Sequence, residues 1–252
     1  MSIDLLSEST RILEHAEHDG IILRLLGGLA IKYHCPSAMH RSLSRKNPDI
    51  DFLGLSTQSR GIRNLFPKLG YVPSERFNAV HGAKRLLFFS ESEEGTRIDV
   101  FLDVFDMCFK FDFRGRLTID RYTLSLSDLL ITKLQIVELN ERDVRDTICI
   151  FLDYEIGDSD GPEVINARYV ADMCSKDWGI YKTFTENLRT ILFRLDQYQI
   201  PGAKEVVTSR IQDILSAIER KPKSVNWKMR AKIGDKVRWY EQPEPPKKIS
   251  FG

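Results

Sequence analysis

The chain has 252 residues, with 37 basic against 36 acidic side chains and a formal charge of +1. That balance excludes attraction to nucleic acid or an anionic membrane through bulk charge, so any such contact must be local. At 42% hydrophobic residues it can bury one large core or two modest ones, and nothing in its composition reads as disordered. The four cysteines, Cys35, Cys108, Cys149 and Cys174, are far apart and form no CxxC, which argues against zinc. They are expected as reduced, mostly buried thiols of a cytoplasmic protein. No apolar run approaches membrane-spanning length, and Asp4, Glu8 and Arg11 interrupt any secretory core near the start.

Residues 2–18 predict a helix with Leu5, Leu6, Ile12, Leu13 and Ala16 as its apolar stripe, Ser2 as its cap and Asp19-Gly20 as its stop. Residues 21–26 are a short apolar run that predicts a buried strand. Gly27-Gly28 follows at once, and residues 29–34 predict a helix. A strand, a glycine pair and a helix N-terminus together can hold an anion, because glycine admits close approach and the first helical N–H groups are unpaired. The same pair also reads as a plain turn. The loop over 35–48 carries His40, Arg41, Ser44, Arg45 and Lys46, either cations for a phosphate or a solvated basic loop.

Residues 49–55 predict the central strand. Side chains alternate along a strand, so Asp49 and Asp51 share one face while Ile50 and Phe52 turn to the core. Two like charges side by side raise at least one pKa unless a cation sits between them, and oxygen ligands suit Mg²⁺ or Mn²⁺. The alternative is a solvated edge strand. Residues 57–69 predict a helix capped by Ser56 or Thr57, with Pro67 near its end and Gly70 after it, and Tyr71-Val72-Pro73 returns to extended chain. Residues 84–90 and 96–104 predict a hairpin through an acidic turn over 92–95. In its second strand Asp99, Phe101 and Asp103 share the face opposite Ile98, Val100 and Leu102. A carboxylate at Asp99 stands mid-strand among apolar residues, where acids are disfavoured. Asp103 lies roughly 13 Å further along and is set apart from it.

Residues 105–122, rich in aromatics, predict irregular extended structure that completes the sheet. Helices are then predicted from Ser125 or Ser127 to Leu139 and over 142–154, 162–174, 178–199 and 203–220, with breaks at 157–161 and 200–202. The expected fold class is α+β: a small mixed sheet with flanking helices over 1–124, an all-helical part over 125–220, and a tail over 221–252 that packs on the body or is mobile.

Leu26-Gly27-Gly28-Leu29-Ala30-Ile31, then Asp49-Ile50-Asp51-Phe52, then Asp99 on a later strand, resembles the nucleotidyltransferase (polymerase-β-like) superfamily in its Gly-Gly-x-Ala variants. Those include aminoglycoside nucleotidyltransferases and AbiEii-type toxins. Further on, Leu129-Leu130-Ile131-Thr132-Lys133-Leu134 and Arg142-Asp143-Val144-Arg145-Asp146 are similar to a lysine helix and an Arg-Asp-x-x-Asp helix that follow that core. The resemblance covers roughly the first half of the chain. The sequence departs from it where the usual glycine-serine pair is Gly-Gly, so no hydroxyl is supplied there, and the linker from Gly28 to Asp49 is long.

The resemblance implies that Asp49 and Asp51 hold two Mg²⁺ (or Mn²⁺) ions and that Asp99 completes the second ion's shell and takes the acceptor's proton. It implies that Gly27 and Gly28 cradle the phosphates of a nucleoside triphosphate (ATP among them) and that Lys133 neutralises the departing pyrophosphate. The implied reaction moves a nucleoside monophosphate to a hydroxyl on a small molecule, a tRNA or a protein. Two alternatives stand beside it: a non-catalytic nucleotide-binding or regulatory module of the same fold, and a toxin paired with an antitoxin partner. Lys133 also reads as a stem over apolar surface with its head in water. Arg142, Asp143 and Asp146 read equally as surface helix pairs. His34, His40 and His81 have no partner visible in the sequence.

Overall fold

The computed structural model describes residues 4–91 and 95–242. Ser2, most of the expected hairpin turn and residues 243–252 lie outside the described residues. The first helix, α1 (Leu5–His18), starts at Asp4, whose carboxylate accepts the N–H groups of Leu6 and Ser7. Then come β1 (Leu23–Leu26), α2 (Gly27–His34), a 3-10 turn (Pro36–Met39) and β2 (Asp49–Gly54). A second 3-10 turn (Ser56–Gln58) runs into α3 (Ser59–Lys68), followed by β3 (Tyr71–Pro73), α4 (Glu75–His81), β4 (Arg85–Ser90) and β5 (Arg97–Leu102). The sequence pattern does not announce α4, which has 7 residues. It is clamped to β4 by buried Asn78, whose amide bonds both the N–H and the C=O of Leu87, at 2.7 and 3.0 Å.

These strands make one mixed sheet in the order β1-β2-β5-β4-β3, with β2 and β5 parallel and the other neighbours antiparallel. Period-two alternation gives it two unlike faces. Ile50, Phe52, Leu86, Phe88, Ile98 and Val100 are fully buried on one of them. There Phe66 of α3 stacks on Phe88 with ring centroids 4.4 Å apart. The other face carries Asp49, Asp51, Arg85, Arg97 and Asp99.

Residues 105–122 do not complete this sheet. β6 (Val104–Asp106) and β7 (Lys110–Asp112) form a separate antiparallel ladder, and the chain returns to the sheet only where Thr123 bridges Leu25 of β1. The cause sits at Asp103, whose φ of 64° turns the chain out of the line of β5. Its carboxylate accepts the Ser56 N–H at 2.9 Å and holds that corner.

The second part is mostly helical: α5 (Leu126–Leu134), α6 (Glu141–Asp153), α7 (Ala167–Lys176), α8 (Trp178–Arg194), α9 (Ala203–Arg220) and α10 (Val225–Ile233). The expectation of an all-helical part is corrected by β8 (Glu155–Gly157) and β9 (Val164–Asn166), a short parallel pair. Asn166 ends β9 and caps α7 by accepting the Tyr169 N–H, so that helix starts later than 162. Helix α5 stops at Leu134 rather than Leu139, and Gln135 beyond it accepts the Phe109 N–H at 3.0 Å. Every residue of α5 is buried, and it packs against α2, α6, α7, α8 and β9. A helix buried on every side must pair its charges, as Asp128 does with Arg116 and Lys133 with Asp146, and here it joins α2 to the helical part. One hydrophobic cluster runs from Ile12 to Ile218. The segment after α10 lies on the body: Trp239 Nε1 donates to Thr183 Oγ1 at 3.0 Å and the Glu241 N–H to the Cys108 carbonyl at 2.9 Å. The four cysteines are buried and free. Among the described residues, no helix is long and apolar enough to cross a membrane.

Candidate functional site

The parallel β2–β5 pairing sets Asp51 opposite Asp99 and Asp49 opposite Arg97. Three carboxylates therefore meet on one sheet face, but they are not equivalent. Asp99 is 1% exposed, and it accepts Arg85 Nε at 2.5 Å, Arg85 Nη2 at 2.7 Å and Arg97 Nη2 at 2.7 Å. The Arg85 fork is the bidentate arrangement that binds carboxylates most strongly. Its guanidinium also lies over the Phe101 ring, 4.5 Å from the centroid. Arg97 Nη2 is 4.0 Å from Asp49 as well, while its Nε is buried without a partner among the described residues.

Asp51 lacks such cover. Burial, then Asp49, then Asp99 push its carboxyl up to about 7 from 3.8, against a smaller pull downward from Lys133 and Arg97. Gly27 stands against it: φ there is +69°, and a Cβ would overlap Asp51 Oδ2. Glycine is required on both counts. Helix α2 begins at that residue with no side-chain cap, so its first N–H groups are left for a ligand or water. A Cβ on Gly28 would overlap Arg45 Nη2 and Asn47 Oδ1. The departure from glycine-serine thus has a local cause, since a hydroxymethyl group has no room there.

A second ionic cluster lies beside the start of α2, against Gly28. Lys133 of α5 places Nζ 2.7 Å from Asp146 and 3.4 Å from Asp143, both on α6. Arg45 reaches Asp146 with Nε at 2.8 Å and Nη2 at 2.6 Å. Burial pulls the Lys133 pKa down, but Asp146 and Asp143 outweigh it and hold it above the ordinary value. Burial pushes Asp146 up, and Lys133 and Arg45 outweigh that in turn. The expectation of a lysine head in water is corrected, as is that of surface pairs for Asp143 and Asp146, which are 6% and 4% exposed. Arg142 is exposed, as a surface residue should be.

The structure brings Asp49, Asp51, Asp99 and Gly27 together, with Gly28 one residue further on. It seats Lys133 in the neighbouring cluster, near enough to act on Asp51 by its field. His34 does have a partner: its Nε2 is 2.5 Å from Thr123 Oγ1, and burial lowers its pKa. His40 Nδ1 accepts the Ser42 N–H at 3.2 Å, and the exposed His81 ring lies 4.7 Å from that of Phe77. Sequence reasoning missed Arg85 and Arg97 at the site. Arg97 had a signal, two residues before Asp99 on the same strand face, whereas Arg85 becomes visible only through the β4–β5 register.

The donor set tests which cation fits. Asp49 and Asp51, adjacent and incompletely neutralised, suit a hard divalent ion. Asp99 does not fit as a third ligand in this arrangement, since guanidiniums take three of its roughly four acceptor positions. Among the described residues, no three His, Cys, Asp or Glu side chains converge into a metal-holding group.

No family model and no curated protein matches the chain. Among solved structures it is similar to the antibiotic-resistance factor ANT(2'')-Ia, at 12% identity and a TM-score of 0.40, over 78% of this chain and 97% of that one. It is also similar to an antigenic nucleotidyltransferase-like protein from Paracoccidioides brasiliensis, at 15% identity and a TM-score of 0.41, over 88% of this chain and 95% of that one. Neither likeness assigns a residue or a substrate here.

Proposed function

We propose that the chain transfers a nucleoside monophosphate from a nucleoside triphosphate to a hydroxyl acceptor and releases pyrophosphate, with Asp49 and Asp51 as the pair that holds Mg²⁺ or Mn²⁺. The observation that carries this reading is unmatched negative charge beside an open helix start. Two guanidiniums face three carboxylates, and they leave Asp51 against Gly27 at the uncapped N-terminus of α2. When bound there, a divalent ion neutralises triphosphate charge and lowers the pKa of the acceptor hydroxyl. The chain's own part is positioning. Asp49 and Asp51 fix the triphosphate's counter-ion, and the bare backbone of Gly27 lets phosphate oxygens reach the first N–H groups of α2. Lys133 acts at one remove, through its field on Asp51 and by holding α6 in place.

The test is pyrophosphate release over the four nucleoside triphosphates with Mg²⁺, supplied in turn with small-molecule hydroxyls, tRNA and protein. Steady release that falls at least about a hundredfold in Asp49→Asn plus Asp51→Asn is expected. A double variant as fast as the parent overturns the reading. The engagement of Asp99 by two arginines favours a second reading, a nucleotide-binding module without turnover. It would bind the triphosphate and release nothing. A toxin with an antitoxin partner differs from the first reading in its acceptor, and growth arrest on expression, abolished by Asp49→Ala, is its signature.

A further inference from the structure

We infer that Arg85 and Arg97 stand in for the second cation, so that the site takes one divalent ion per chain, on Asp49 and Asp51, and Asp99 is a positioning residue rather than a ligand. This deepens the nucleotidyl-transfer reading and rests on it. Asp99 sits directly opposite Asp51, where a shared ion would draw on both carboxylates. Instead it accepts three guanidinium hydrogen bonds. Arg97 Nη2 lies 2.7 Å from Asp99 and 4.0 Å from Asp49, so its positive charge occupies the gap between those two acids.

Arg85 closes the other side. It comes from the neighbouring strand two register pairs along, opposite Phe101 on the same sheet face as Asp99, and its guanidinium is held against Phe101 at 4.5 Å with Phe77 at 6.0 Å. A metal on Asp99 would have to displace the Arg85 fork and the single Arg97 bond and leave two guanidiniums beside a divalent charge. Breaking a desolvated, hydrogen-bonded pair is strongly unfavourable, and like charges at that range add to the loss. Asp49 carries no such bond and is 31% exposed, so it stays open to an incoming ion.

The test counts Mn²⁺ by electron paramagnetic resonance on the full chain, with a non-hydrolysable nucleoside triphosphate analogue present. One tightly held ion per chain is expected, retained in Asp99→Asn and lost in Asp49→Asn plus Asp51→Asn. Replacing Arg85 and Arg97 by Met frees Asp99, and a second ion is expected in that variant. Two ions in the parent, loss of binding in Asp99→Asn, or a folded double-arginine variant that still holds one ion overturns the inference. No ion in the parent overturns both this inference and the transfer reading, whereas two ions overturn this inference alone. Should the double-arginine variant fail to fold, the counts in the parent and in Asp99→Asn decide the matter.

Discussion

Two clusters of charge meet at the start of α2, one against Gly28 and one against Gly27, and they are built on different principles. In the first, Lys133 and Arg45 face Asp143 and Asp146, two against two, with all four side chains between 5% and 14% exposed. In the second, Arg85 and Arg97 face three carboxylates, and the deficit falls on Asp51 and Asp49. The balanced cluster matches charge within the chain, with Asp143 Oδ2 buried and unpaired among the described residues, and it fastens α5, α6 and the 35–48 loop together. The unbalanced one leaves charge that something from outside must answer. Buried ion pairs of both kinds perturb pKa values, so it is the balance that separates scaffold from site.

The comparison can be broken at its balanced half first. Lys133→Met strands Asp143 in the interior and leaves Asp146 to Arg45 alone, and a loss of about 3–5 kcal/mol in urea unfolding is expected. Asp51→Asn should act in the opposite direction. Its folded pKa of about 7 lies above the unfolded value, so the stability Asp51 contributes is fully present below about pH 4 and is lost as pH rises through 7. At pH 8 without metal, Asp51→Asn is expected to raise the unfolding free energy and to flatten its pH 4–7 slope. Asp146 behaves in reverse, because its lowered pKa gives stability that is lost only as pH falls below about 4. Acid titrations of the two clusters therefore separate. Gly27→Ala brings a positive φ and an overlap with Asp51, for about 1–3 kcal/mol by thermal unfolding. Gly28→Ser pushes Arg45 off Asp146 and is expected to cost about 1–2 kcal/mol, less in an Asp146→Asn background, since the two changes share a partner. Arg142→Ala, exposed and outside both clusters, should stay within about 0.5 kcal/mol of the parent.

What could be read in advance followed from local rules. The Asp49-x-Asp51 alternation needs only the period of a strand, and Asp99 stood out as an acid among apolar neighbours. The glycine pair marked the start of α2, where Gly27 combines a positive φ with no room for a Cβ beside Asp51. Arg85 stayed hidden because its partner is 14 residues away on another strand, and Arg45, read as a cation for a phosphate or as part of a solvated loop, has its partner Asp146 101 residues on. The 105–122 segment was misjudged because one residue, Asp103, adopts a left-handed conformation that composition does not reveal. β8 and β9 have three residues each, too short for alternation to show. Asp143 and Asp146 passed for surface acids because their spacing also suits a helix flank, and only the arrival of α5 buries them.

The grip of Arg45 on Asp146, beside Gly28, also bears on how substrates arrive. It ties the loop in front of β2 to α6 through a desolvated fork, with Lys133 welded to the same carboxylate. That seam is closed by buried charge, and on the proposed transfer reading an acceptor reaches the site from the rim where β2 and β5 begin, past Asp49 and Arg97, which are 31% and 32% exposed.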